Sequence, residues 1–170
     1  MNDFKKLLLP GVLFLIWGQV EAQLKKPPAE ITTAMLIKVA AFEKSLSDGR
    51  DVTLYVLGSP EVAAAMRKAI GTPIGNSSLR GVESGDDLPA SKPSILYVES
   101  ASKVNAAIGY TRSNKILSAA GNPDLVEKGI TLGFGIGDDG KPKIFLNKTG
   151  SNEENLEWNP ALFKIAKLVP

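Results

Sequence analysis

The chain has 170 residues, 44% of them apolar and 22% charged, the composition of one ordinary folded domain and not of a disordered chain. Lys and Arg number 20 against 18 Asp and Glu, and a net charge of +2 is too small to hold a nucleic acid by phosphate neutralisation. Cysteine and histidine are both absent, which excludes disulfides, Ser-His-Asp and Cys-His triads, imidazole acid–base catalysis and ordinary zinc sites.

The N-terminus reads as an address. Lys5 and Lys6 precede an apolar run from Leu7 to Val20, interrupted by Pro10-Gly11 and Gln19. Val20-Glu21-Ala22 then offers the small or β-branched residues of a cleavage site. This is the three-part pattern of a cleaved signal peptide over residues 1–22. The run is shorter than the roughly 20 residues a transmembrane helix needs. Pro10 argues against a buried helix. Residues 23–29 form a polar, Pro-rich leader, and residues 30–170 read as a single domain.

In chain order, Ile31, Met35, Val39, Phe42 and Leu46 mark one stripe of a first amphipathic helix, stopped by Asp48-Gly49. Val52–Leu57 is a strand buried on both faces. Ser59-Pro60-Glu61 supplies a cap hydroxyl, a proline for the first turn and an acid at the positive dipole end. The helix it opens runs to about Ile70, with Val62, Met66 and Ile70 on one face, and ends at Gly71. Ser77–Val82 is a strand, Glu83–Pro89 an acidic loop and Ser94–Val98 a further strand. Ser102 to Tyr110 is a helix and Lys115–Ala119 a strand. Asn122-Pro123-Asp124 opens a short helix closed by Gly129. Ile130–Ile136 and Lys143–Leu146 flank Asp138-Asp139-Gly140 and form a hairpin. Asn159-Pro160 opens a last helix through Val169. Strands alternating with helices predict an α/β fold: a three-layer αβα sandwich on a largely parallel sheet of about five to six strands, with an antiparallel hairpin near the C-terminus.

Few residues invite chemistry. Gly133-Phe-Gly135-Ile-Gly137 has the spacing of a phosphate loop but does not open a helix, so close strand packing is expected. Gly58-Ser59-Pro60 follows a strand where open sheets bind ligands, yet Ser59 is needed as a cap. Asp86-Asp87 and Asp138-Asp139 lack calcium-loop spacing and read as solvated turns. Lys25-Lys26 could touch anionic lipid. Asn76-Ser-Ser78 and Asn147-Lys-Thr149 match a glycosylation acceptor. Trp158 is expected to staple the last helix to the core or to join a partner surface. Edge strands and terminal elements are available for pairing, so Ile130–Ile136 and Leu162–Leu168 are candidate contact surfaces, with Phe134 and Trp158 as anchors.

Four pieces of the chain together resemble the YfiR/HmsC-like family of small periplasmic bacterial proteins: Ala34–Phe42, Tyr55–Pro60, Ser94–Ser100, and the C-terminal series Lys115–Ser118, Ile130–Phe134, Phe145–Asn147 and Leu162–Leu168. The resemblance implies a periplasmic location and a non-enzymatic role, controlling a membrane signalling protein by protein–protein contact. The best-understood relative represses an inner-membrane diguanylate cyclase, lowering cyclic di-GMP and biofilm formation. Two departures stand out: Glu43–Asp48 replaces the family's aromatic-Trp-Pro stretch, and the cysteines of some relatives are missing. The family carries no catalytic motif, so no catalytic, cofactor-binding or metal residue is expected, and neither a cofactor nor a nucleic-acid partner. A homodimer is a further expectation. The alternative is a small-ligand module at the sheet edge near Gly58–Pro60 and Ser100–Ser102.

Overall fold

The structure is a computed structural model that describes residues 24–170. The expected signal peptide lies outside the described residues.

The leader feeds α1 (Ala29–Ala40), followed by β1 (Asp51–Leu57), α2 (Pro60–Lys68), β2 (Pro73–Ile74), β3 (Ser77–Gly85) and β4 (Ile95–Val98). A 3-10 turn (Ala101–Lys103) leads into α3 (Val104–Asn114), then come β5 (Leu117–Ala120), α4 (Asp124–Glu127), β6 (Leu132–Ile136), β7 (Pro142–Asn147) and α5 (Lys148–Glu153). A second 3-10 helix (Pro160–Lys164) precedes β8 (Ala166–Val169). One sheet holds all eight strands in the order β2-β3-β1-β4-β5-β6-β7-β8. Pairing is parallel except for the β2–β3 and β6–β7 hairpins. The α/β fold is therefore the expected one, with eight strands where five to six were anticipated.

Two apolar layers sandwich the sheet. On one face Leu36, Val39 and Ala40 of α1 and Val62, Ala63 and Met66 of α2 pack on Val52, Leu54, Val56, Tyr97 and Phe134. On the other, Val104, Ala107 and Ile108 of α3 and Leu125 of α4 cover Leu96, Val98 and Ala120. Central strands β4 and β5 are buried at every position, as continuous apolar runs require. Ser59 caps α2 as read, its Oγ accepting the Val62 N–H at 3.3 Å, with Pro60 in the first turn.

Several expectations are corrected by packing. The first helix stops at Ala40, and its buried face runs through Thr32, Met35, Leu36 and Val39, leaving Ile31 41% exposed. The stop has a local cause: Glu43 folds its carboxylate back onto the Leu46 N–H at 2.9 Å, which an uninterrupted helix would have tied to a carbonyl. The second helix ends at Lys68, so Ile70 lies past it and is exposed, off the buried face of Val62 and Met66. Glu83–Gly85 extends β3 instead of belonging to a loop. Two elements went unread: β2, which turns through Gly75 (φ +60°) into β3, and α5, capped by Asn147. The last helix is only a 3-10 turn, and Ala166–Val169 pairs with β7 as a strand.

Candidate functional site

The C-terminal ends of the parallel strands bring Gly58–Pro60 and Ser100–Ser102 together through the β1–β4 pairing. The Ser100 and Ser102 hydroxyls lie 2.9 Å apart, while Ser59 is committed to its helix. The leader lies along this edge. Lys25 exchanges two backbone hydrogen bonds with Ile136, at 3.0 and 2.8 Å. Lys26 Nζ sits 2.6 Å from Glu99 Oε1, and the Tyr97 hydroxyl donates to Glu99 Oε2 at 2.8 Å. Burial first, and the Glu99 carboxylate second, push the Tyr97 hydroxyl far above its ordinary titration range. Lys26 thus has a carboxylate partner within the fold, whereas Lys25 is fastened through its backbone and its side chain is exposed.

The glycine series behaves as close packing. A Cβ at Gly133 would overlap Val126 of α4, and one at Gly135 would lie 3.0 Å from Pro123. Asp87 pairs with Lys103 and Asp139 with Lys143, both on the surface. Asn76 is exposed in the β2–β3 turn. Asn147, in contrast, is 4% exposed. Its Nδ2 donates to the Val126 carbonyl and its Oδ1 accepts the Gly150 N–H. A glycan cannot be built there without dismantling the cap of α5, which overturns that reading. Among the described residues no group of three or more acidic side chains could hold a metal ion, and no helix is long and apolar enough to cross a membrane.

The protein-contact candidates separate sharply. β6 lies between β5 and β7, and Phe134 is fully buried, so neither is available to a partner. Trp158 is half-buried on the main core, and its indole N–H donates to Ser151 Oγ at 2.7 Å, which fits the staple reading. The C-terminal stretch is different. β8 closes one end of the sheet, so among the described residues one side of its backbone has no strand beside it. Around it Phe163 (47%), Ile165 (52%) and Leu168 (43%) are among the most exposed large apolar side chains of the described residues. Lys164 and Lys167 are also exposed there, with Lys167 Nζ 5.9 Å above the Phe145 ring. Only Leu162 of the preceding 3-10 helix is fully buried, pinning the segment to the core.

Two buried glutamates fasten the chain leading into this edge. Glu43, 1% exposed, accepts hydrogen bonds from Ser45 Oγ (2.6 Å), Leu46 N (2.9 Å) and Glu157 N (3.1 Å). Lys44 N to Glu157 O and Asn159 N to Phe42 O complete the join. Glu154, also 1% exposed, takes the Ser118 N–H on Oε2 at 3.1 Å. Its Oε1 and the nearby Thr131 hydroxyl are buried without a well-aligned partner. Burial is the main cause that holds the Glu154 carboxyl above its ordinary 4.5. Neither residue was singled out in the sequence, where each sits in a polar stretch that reads as solvated.

A family model described as YfiR/HmsC-like matches residues 29–167, nearly the whole described chain. The chain belongs to the YfiR/HmsC-like family. This is a family of periplasmic regulators of signalling. Two solved structures share the fold at low identity. The ABC domain in complex with L-Trp from Streptococcus pneumoniae has 15% identity and a TM-score of 0.55, over 84% of this chain and 60% of that one. A conserved domain protein from Vibrio cholerae O1 biovar El Tor has 14% identity and a TM-score of 0.55, over 86% of this chain and 61% of that one. The chain thus spans less than two thirds of either structure. No curated protein matches.

Proposed function

We propose that this member of the family controls a membrane signalling protein, such as a diguanylate cyclase, from the periplasm, and that it does so by protein–protein contact and not by catalysis. The observation that carries the reading is the open β8 edge with its exposed Phe163, Ile165 and Leu168. An exposed apolar edge strand is a template for another strand and is normally blunted or covered. Lys164 and Lys167 select its occupant: a strand of the partner's periplasmic domain that alternates apolar with acidic residues. Two copies meeting at β8 would set edges that each carry Lys164 and Lys167 against one another, like charge to like, so the heterotypic contact is favoured. Export by the signal peptide over residues 1–22 delivers the domain to that partner.

The test is capture of the partner's periplasmic domain by Ile165→Asp and Leu168→Asp variants, with circular dichroism confirming the fold. Exposed positions tolerate the change, so each variant stays folded while capture falls at least about tenfold. Folded variants that bind as well as the parent protein refute the surface. A concentration-dependent dimer that the same substitutions abolish would assign the edge to a second copy instead.

A further inference from the structure

The N-terminal ends of the central strands hold a feature that the docking reading does not use. Val52 of β1, Ser94 before β4 and Ile116-Leu117 at the start of β5 frame a cleft of about 300 Å³ at the N-terminal edge of three adjacent parallel strands. That volume is at the lower end of small-molecule sites, which run from roughly 300 to 1,000 Å³. The floor is aliphatic, with Leu46, Val52, Ile116 and Leu117 buried and Leu156 half-buried, while polar groups make up more of the open surface than apolar ones.

The same cleft is lined by Arg50, Lys92 and Lys115, all exposed, against the single acid Asp51. Asp51 is engaged outward by Arg80 at 3.1 Å, and Arg50 is paired with Asp48 at 2.7 Å. Lys115 reaches only a carbonyl, that of Glu153, at 2.8 Å. Lys92 has no ion-pair partner among the described residues. Two cations thus border a hollow with an aliphatic floor, neither paired with a carboxylate among the described residues.

A backbone observation converges on the same place. Among the described residues, Lys115 and Asn155 are the two non-glycine residues at positive φ, +54° and +59°. Lys115 lines the cleft, and Asn155 directly precedes Leu156, which also lines it. The position after a helix that Lys115 occupies is one where glycine is the ordinary choice. Left-handed non-glycine residues concentrate where the surrounding structure holds a functional geometry.

We propose that this cleft binds a small amphipathic monoanion, a carboxylate with a short aliphatic body. A carboxylate satisfies Lys92 and Lys115, and the aliphatic body dries the floor made by Leu46, Val52 and Leu117. A bare inorganic anion would leave that floor wet, and a neutral alcohol would leave the lysines unpaired. The inference stands independently of the β8 surface.

The test is an amide chemical-shift titration of the purified protein with hexanoate, 1-hexanol and inorganic phosphate. Hexanoate is expected to give saturable shifts at Lys92, Ser94, Ile116 and Leu117 with Kd below about 5 mM, and the other two probes to bind at least about tenfold more weakly. Lys115→Gly removes the cation while relieving the left-handed residue. Its thermal midpoint stays equal or rises, and its hexanoate affinity falls at least about fivefold. Lys92→Met gives the same loss by a route that leaves the backbone alone. Hexanoate shifts that do not saturate or map elsewhere, equal binding of hexanol or phosphate, or unchanged affinity in both folded variants would overturn the proposal.

Discussion

Replacing Glu43 by alanine tests how the C-terminal edge is held in place. The side chain is 1% exposed and serves three donors, two of them the backbone N–H groups of Leu46 and Glu157. The Ser45 hydroxyl is on the surface and can turn to water. The Leu46 N–H loses its acceptor inside the fold, which costs about 1–3 kcal/mol, and the Glu157 N–H loses one in a half-buried place where water can partly replace it, which costs less. The loss is therefore about 1–4 kcal/mol, part of it offset because the buried carboxylate no longer needs desolvating. For a domain of this size 1 kcal/mol corresponds to about 2–4 °C, so the midpoint falls by roughly 2–15 °C. Glu43→Gln keeps one carbonyl oxygen and loses about half as much. Urea unfolding reads the free energy, and hydrogen exchange at the Glu157 amide reads the local opening. A change below about 0.5 kcal/mol in the alanine variant, with the Glu157 amide still protected, would refute the latch.

Three further outcomes follow from the same packing. Because burial raises the folded-state carboxyl of Glu154, its stabilising share is complete below 4.5 and is lost as pH rises through the raised value. Glu154→Gln should thus be at least as stable as the parent at neutral pH and lose that advantage in acid; a variant less stable at neutral pH than in acid, relative to the parent, would contradict this. Gly133→Ala must push its Cβ into Val126 and should cost about 1–3 kcal/mol by overpacking, measured by denaturant unfolding; a neutral result would mean that α4 moves freely. With no cysteine in the chain, a thiol reductant should leave the melting temperature unchanged, and a shift of several degrees would show that a partner supplies sulfur.

What the amino-acid sequence determined alone was whatever a few adjacent residues decide. Ser59-Pro60 starts α2 because a hydroxyl and a fixed φ act within one turn. Asp138-Asp139-Gly140 turns β6 into β7 because Gly140 takes φ +71°. The alternation of these signals was enough for the α/β class and the parallel sheet. Composition alone removed the histidine and thiol chemistries. The C-terminal element was misread because its state depends on a distant neighbour. Leu162, Phe163, Ile165, Ala166 and Val169 are spaced acceptably for a helix, but the free edge of β7 offers backbone partners, and Ala166–Val169 takes them. A distant neighbour also matters for Glu43 and Glu154: each looks solvated in its own segment, and Glu157 and Ser118, remote in sequence, present N–H groups to them. Tertiary structure also chose which apolar residues remain outside. Phe134 vanished into the core between two strands while Phe163, Ile165 and Leu168 stayed out, a distinction set by strand order, which no local pattern encodes.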